Sequence, residues 1–93
     1  MVNPYSEELI SENEIVRTFS PDISDLELKW HQDWEDRDVE FLNENDWSYQ
    51  FDNEFPKKCE GLIFVKSRSW HRLIKGTTEL KVRIYKHISS GDI

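Results

Sequence analysis

The stretch that decides the fold is residues 61–85, GLIFVKSRSWHRLIKGTTELKVRIY. It opens with an apolar run, and from Leu80 onward apolar and charged side chains alternate. Alternation with a period of two is typical of a half-buried strand. The stretch therefore predicts three strands, at residues 61–65, 70–74 and 80–85, with a turn between the last two.

The rest of the chain adds four strand predictions separated by turn-forming residues. These strands are predicted at residues 14–19, 26–34, 38–43 and 47–51. Seven short strands at a spacing of roughly 8–12 residues, with no convincing helix in the body, predict an all-β sandwich or barrel. The chain is divided into an N-terminal arm (1–12), a barrel (13–86) and a C-terminal tail (87–93). The arm is expected to be mobile or to form a short helical turn at residues 6–10, and the tail to be frayed.

The composition indicates one compact domain with an acidic balance. The chain has 93 residues, of which 37% are apolar, and a net charge of −7. Four Trp, three Tyr and five Phe argue for a packed interior. The negative charge counts against nucleic acid as a partner, because Lys and Arg supply most of that affinity by neutralising phosphates.

Features that govern location are few. The first eight residues have neither a basic nor an apolar leader segment, and the longest apolar run, 62–65, is too short to cross a bilayer. The lone cysteine, Cys59, has no internal partner for a disulfide, which fits a reducing compartment. We therefore expect a cytoplasmic protein that binds neither membrane nor nucleic acid.

Two histidine-containing segments carry the candidate site. His31 and Asp33 are two residues apart, and His71 lies on another predicted strand. Imidazole and carboxylate groups are common ligands of transition metals, so the three residues could form a metal site. Strand alternation opposes this, because His31 and Asp33 face outward if Trp30 faces inward, unless a bulge or strand start near Lys29 turns them. The alternative is that the histidines line a polar barrel mouth and hydrogen-bond to neighbouring side chains.

These segments resemble the two motifs of the cupin superfamily, which are small antiparallel jelly-roll barrels. The first family motif is His-x-His followed by an acidic residue, and residues 31–33 with 39–44 are similar to it. The second begins at a Gly and ends in Pro-x-Gly-x-x-His, and residues 61–71 resemble it. Residues 49–54 stand in the place of the hairpin between the motifs. The resemblance covers about residues 26–85 and implies a single antiparallel jelly-roll barrel.

The resemblance also implies a divalent metal held by His31 and His71, with Asp33 in place of the family's second histidine. Two imidazoles and one carboxylate suit Fe, and Mn or Zn would also be accepted. The pocket beside the site is expected to be lined by Tyr49, Gln50 and Arg72.

Besides Asp33, the chain departs from the family pattern at three positions. Arg37 stands at or near the place of the family's acidic ligand, and Lys66 and Arg68 replace the Pro and Gly of the second motif. The His-x-Asp pattern with a distant His also resembles the 2-oxoglutarate-dependent oxygenases. In that case Arg83 would bind the cosubstrate's carboxylate, although strand alternation directs this residue away from the core.

Other residues have alternative interpretations. The four tryptophans, at positions 30, 34, 47 and 70, could form an aromatic cage, or pack in the core or a subunit interface. Cys59 could be a nucleophile if its lysine neighbours lower its pKa. The segment 36–38, Asp-Arg-Asp, could perform acid–base chemistry, or form an ion-pair cluster.

Two function classes stay open at this point. One is a metal-dependent enzyme that acts on a small molecule. The other is a non-catalytic ligand-binding or interaction module whose barrel mouth holds a ligand without metal. The cupin superfamily includes both, so the fold alone does not choose. Edge strands and exposed aromatics additionally predict a homodimer.

Overall fold

The computed structural model describes residues 5–23 and 28–87, and within these ranges it contains eight β-strands and no helix. The strands are β1 Tyr5–Ser11, β2 Glu14–Phe19, β3 Asp36–Phe41, β4 Ser48–Phe51, β5 Lys57–Lys58, β6 Leu62–Val65, β7 His71–Ile74 and β8 Leu80–His87. None of the described residues belongs to a helix long and apolar enough to cross a membrane.

The strands form two antiparallel sheets. One has five strands in the order β1-β2-β8-β3-β6, and the other has three in the order β5-β4-β7. Strand β8 lies at the centre of the larger sheet, where Ile84 pairs with Ile15 of β2 and with Val39 of β3. The predicted all-β class is confirmed.

The core lies on the inner face of the larger sheet. Leu80, Val82 and Ile84 of β8 are each at most 5% exposed, as their alternation predicts. Trp47 is fully buried against Phe19 of β2, with ring centroids 5.9 Å apart. Its indole Nε1 donates a 2.6 Å hydrogen bond to the carbonyl of Thr78, so the one polar atom of the ring keeps a partner in the core.

The strand predicted at residues 26–34 is wrong over its described part. Residues 28–34 make one isolated bridge, between His31 and His71, and residues 26 and 27 lie outside the described ranges. Trp30 and Trp34 are 39% and 80% exposed and face outward, whereas Leu28 packs against the core, so the alternation breaks near Lys29. A single bridge does not impose regular strand alternation on the segment. The orientation of Trp30 follows its side-chain contact, since the Arg72 guanidinium lies 4.8 Å from the centroid of its ring.

The helical turn predicted at residues 6–10 is also wrong, because these residues belong to β1. This strand pairs with β2 from Tyr5 opposite Phe19 to Leu9 opposite Ile15. The open edge of β2 offers unpaired backbone groups, and satisfying them outweighs a weak local helical preference. Of the predicted tail, the structure describes only His87, the last residue of β8, and the division into arm, barrel and tail stays a prediction.

The bend between β7 and β8 packs against the chain before β4. A Cβ atom at Gly76 would lie 2.7 Å from the backbone carbon and oxygen of Asp46, so only glycine fits there without displacement. The Asp46 carboxylate accepts hydrogen bonds from the backbone amide and the hydroxyl of Thr77, at 2.7 and 2.5 Å. These contacts tie the bend to the segment that precedes Trp47.

Candidate metal centre

The three side chains predicted as metal ligands lie together at the wall of a cavity of about 320 Å³. The ligand atoms that His31, Asp33 and His71 offer are all within 4.8 Å of one another, so the cluster could hold a metal ion. Two backbone hydrogen bonds of 3.0 Å between His31 and His71 place the imidazoles side by side, with ring centroids 4.4 Å apart.

Both imidazole rings are oriented by backbone carbonyls. Nδ1 of His31 lies 2.9 Å from the carbonyl oxygen of Lys29, and Nδ1 of His71 lies 2.8 Å from that of Ser69. A carbonyl oxygen only accepts, so Nδ1 carries the proton in each ring and Nε2 of the neutral ring has a free lone pair. Histidines that bind metals through Nε2 are commonly held in this way.

Asp33 supplies the anionic atom of the cluster. Its side chain is 14% exposed, and its Oδ2 lies 3.1 Å from Nε2 of His71. Burial raises the pKa of Asp33, but the hydrogen bond with His71 and the positive charge of Arg37 outweigh it, so the pKa is below its ordinary value. An ionised carboxylate and a neutral Nε2 both only accept hydrogen bonds, so this short contact requires a proton on His71 or a metal cation nearby.

Arg37 places a permanent positive charge beside the cluster. Its Nη1 lies 3.4 Å from Oδ2 of Asp33, and its Nε donates to Glu35 at 2.6 Å. The ion-pair interpretation of residues 36–38 therefore holds for the central arginine with different partners. Asp36 accepts a hydrogen bond from the Ser67 backbone amide instead, and Asp38 pairs with the last histidine of the chain.

The cavity wall is mostly apolar. Its apolar and aromatic lining includes Phe19, Leu28, Val39, Phe41, Tyr49 and Phe51, among others. Tyr49 lies on the wall, with its ring stacked 5.8 Å from Phe41. Arg72 belongs to the wall through its place in β7, but its guanidinium stacks on Trp30 and its Nε donates to Gln50 Oε1 at 2.9 Å. Gln50 is not among the residues that line the cavity.

Comparison with known proteins identifies the fold. No protein-family model and no curated protein matches the sequence. Among solved structures, a cupin domain from Bordetella pertussis superposes with a TM-score of 0.59 at 17% identity, over 95% of this chain and 99% of that one. The chain has a cupin-like fold. A protein from Neisseria meningitidis matches with a TM-score of 0.59 at 12% identity, over 92% of this chain and 87% of its own.

A chain from the crystal structures of DMSP lyases matches with a TM-score of 0.65 at 13% identity. The match covers 86% of this chain and 40% of the lyase chain, so this protein spans less than half the length of that neighbour. At these identities the likeness shows the fold alone. The predicted cupin-like jelly roll is confirmed without a subfamily.

The turn before His71 shows how the cupin-like fold accepts the departures from the second motif. Arg68 stands where the family has Gly, and it adopts a left-handed backbone with φ of 64°. Its amide donates to the Asp33 carbonyl at 2.7 Å, and its own carbonyl accepts from Gln32 Nε2 at 2.7 Å. The turn is thereby fastened to the segment that carries two of the three candidate ligands, although a side chain in this conformation costs roughly 1–2 kcal/mol.

An open cleft lies on the other side of the cluster. His31 and Asp33 line both the cavity and this cleft, together with three exposed tryptophans at positions 30, 34 and 70. Arg68 stacks on Trp34 at 5.1 Å. The fourth tryptophan, Trp47, is in the core, so an aromatic cage of all four is ruled out.

Two alternative sites lack the placement that their chemistry needs. Cys59 is 1% exposed, and burial raises the pKa of its thiol to about 12, so it is not an activated nucleophile. Arg83 points away from the core as predicted and pairs with Glu14 and Glu40, at 3.2 and 3.3 Å. It therefore does not reach the cavity as the residue that would bind a cosubstrate carboxylate.

Arg17 is among the cavity residues that the sequence interpretation missed. It lies on β2 between Ile15 and Phe19, which are buried, and it lines the cavity. The same alternation that predicted the strand could have found it, because residues 15, 17 and 19 share one face. The inward orientation was not expected because charged side chains are ordinarily exposed.

Proposed function

We propose that this cupin-like protein binds a small molecule and holds a divalent metal ion at His31, Asp33 and His71. With that ion it would act as a metal-dependent enzyme. The observation that carries the proposal is the clustering of two imidazoles and one carboxylate at the cavity wall, with their ligand atoms within 4.8 Å of one another. Nδ1 of each ring faces a backbone carbonyl, so Nε2 is the nitrogen available to a metal, and Nε2 of His71 already lies 3.1 Å from the Asp33 carboxylate.

The residues fit such an ion by type and by environment. Two imidazoles and a carboxylate are the donor set of Fe(II) sites with open coordination positions, and Mn or Zn accepts the same set. The bound metal would supply Lewis-acid chemistry. The protein would orient the ligand side chains through the Lys29 and Ser69 carbonyls, keep Asp33 ionised, and exclude water with an apolar wall.

The volume of the cavity indicates the size of the bound molecule. At about 320 Å³ it lies at the lower end of ordinary small-molecule pockets, which measure roughly 300–1,000 Å³. One structural neighbour comes from crystal structures of DMSP lyases, so this fold also occurs as part of a lyase, which is consistent with the proposal.

Elemental analysis of protein purified without chelator tests the metal site. We expect one equivalent of Fe, Mn or Zn in the wild type and its loss in both His31→Ala and His71→Ala. His87→Ala is the matched control, because His87 is the other described histidine and pairs with Asp38 on an exposed surface. The wild type remaining free of metal after reconstitution with each of the three ions would contradict the proposal, as would equal losses in all three variants.

A metal-free ligand-binding module is the second candidate, and the contacts of Asp33 favour it. Its Oδ2 already faces Arg37 at 3.4 Å and His71 at 3.1 Å, so a protonated His71 would complete an ion cluster without any metal. In this case chelator-treated protein binds its small molecule with undiminished affinity. In the metal-dependent case that affinity falls and recovers when the ion is restored.

Pairing into a homodimer and a cytoplasmic location stay predictions. Exposed apolar side chains support the first, since Leu62 and Phe64 on the edge strand β6 are 68% and 54% exposed. Sedimentation velocity of the wild type measures it directly, and a monomer at micromolar concentration would contradict it.

A further inference from the structure

Arg17 lies inside the barrel although it is fully charged. Its neighbours on the same face of β2, Ile15 and Phe19, are buried, and its side chain is only 19% exposed. The guanidinium lies 4.5 Å from the centroid of the Tyr5 ring and lines the cavity. A charge in such a place needs an anionic partner, because burial without one is costly.

Glu7 accepts a hydrogen bond from only one of the three nitrogens of the Arg17 guanidinium. Nε of Arg17 donates to Glu7 Oε2 at 2.5 Å, and this carboxylate side chain is 40% exposed. Across residues 5–23 and 28–87, neither Nη nitrogen of Arg17 makes a hydrogen bond. Arg37, in contrast, has carboxylates at both its Nε and its Nη1. Among the cavity-lining arginines, Arg37 is held by two carboxylates and Arg72 is stacked on Trp30, so Arg17 is the one whose Nη donors we assign to a ligand.

Arg17 and the candidate metal ligands lie at different levels of the barrel. Arg17 and Phe41 both pair with Val82 of β8, so they are level with each other across the sheet. Arg37, which touches Asp33, is four residues from Phe41 along β3, or ~13 Å along the strand direction. The wall between the two levels is apolar and aromatic.

We propose that the cavity takes a small organic carboxylate with an apolar body, whose carboxylate pairs with the Nη groups of Arg17. The opposite end of the molecule then lies at the His31–Asp33–His71 cluster. A guanidinium binds a carboxylate through parallel N–H···O bonds, and such charge-assisted bonds are strongest away from water. This proposal rests on the proposed function, because a small molecule must bind in the cavity. It does not require that a metal is bound.

Calorimetric titration of the full chain with three probes tests the proposal. Octanoate, octanol and octylamine have the same apolar body and carry a negative, neutral or positive head group. We expect octanoate to bind at least about tenfold more tightly than octanol, and octylamine to bind most weakly. Each titration is run on chelator-treated and on zinc-loaded protein, so that a carboxylate bound to the metal is distinguished from one bound to Arg17.

Three variants locate the preference. Arg17→Gln should remove the difference between octanoate and octanol, and Glu7→Gln should increase octanoate affinity, because it frees the guanidinium from a competing anion. Arg83→Gln is the matched control, since Arg83 belongs to the neighbouring strand and points to the outer face. We expect it to leave all three affinities unchanged.

The outcomes separate this proposal from the metal site. The carboxylate proposal is overturned if octanoate and octanol bind equally or if neither binds. It is also overturned if the preference survives Arg17→Gln or if Glu7→Gln leaves the octanoate affinity unchanged. A carboxylate preference that persists in chelator-treated protein supports it, even where elemental analysis finds no metal. In that last case the metal proposal fails and the assignment of Arg17 stands.

Discussion

Replacing Arg37 with glutamine is expected to increase the affinity of the cluster for a divalent metal. Nη1 of Arg37 lies 3.4 Å from Oδ2 of Asp33, the same oxygen that faces His71 at 3.1 Å. A metal bound to that oxygen would be close to the guanidinium, and the two positive charges repel. The resemblance to the first cupin motif implies an acidic ligand at or near this place, and such a ligand would attract the metal instead.

The size of the effect follows from the charges and their separation. Charges of +2 and +1 about 5 Å apart repel by ~1.7 kcal/mol in water and by ~7 kcal/mol at an effective dielectric constant of ~20. Glu35, 2.6 Å from Nε of Arg37, offsets much of the larger value. We therefore expect a gain of about 1.4–3 kcal/mol, which corresponds to roughly tenfold to hundredfold tighter binding.

Competition with a chromogenic chelator at neutral pH measures the affinity, and circular dichroism confirms that the variant is folded. Arg83→Gln removes the same charge from the outer face of the sheet and should change the affinity little, because solvent and two carboxylates screen that site. Binding by Arg37→Gln that is no tighter than wild type would refute the reasoning. It would mean that the guanidinium swings away from the cluster when the metal binds.

Three further predictions concern stability and reactivity. Trp47→Phe should lower the free energy of unfolding in urea by about 2 kcal/mol, because the variant loses the hydrogen bond to Thr78 and part of a fully buried ring. A change below about 0.5 kcal/mol would contradict this. Cys59, whose pKa is raised to about 12 by burial, should resist a thiol reagent at pH 8 in the native protein and react rapidly in urea; fast native labelling would show that the site opens. Hydrogen bonds from Thr77 lower the pKa of Asp46 to about 2, so its stabilising effect is present above its unfolded value of about 4 and is lost as the pH falls toward 2. The stability difference between wild type and Asp46→Ala should shrink over that range, and a difference independent of pH would contradict the assignment.

Regular strands were predictable because their signal is local. Strand β2 spans residues 14–19 as predicted, and β8 begins at residue 80 with its apolar face buried. In both, each side chain's face follows from its neighbour's, since successive residues of a strand point to opposite sides. The pairing of the two histidine segments was also predictable, because the resemblance to the cupin motifs places them on adjacent parts of one barrel.

The segments without regular pairing were not predictable in this way. Strand alternation left open whether Trp30 or His31 faces inside, and the segment has a single bridge, so alternation does not fix which side faces the cavity. The stacking of Trp30 with Arg72 decides it. Strand β1 was missed because its stability comes from pairing with β2, a contact that its own polar residues do not reveal.

The sequence by itself determined the all-β class, the strands with alternating apolar residues, and the three residues offered as metal ligands. Only the tertiary structure decided that those residues face a cavity, that Arg37 contacts Asp33, and that Arg17 lies inside the barrel. The physical reason is the separation along the chain of the residues that interact. Alternation is set by the backbone within one strand, whereas the surroundings of a charge depend on strands far apart in the chain, here β1, β2, β3 and β8.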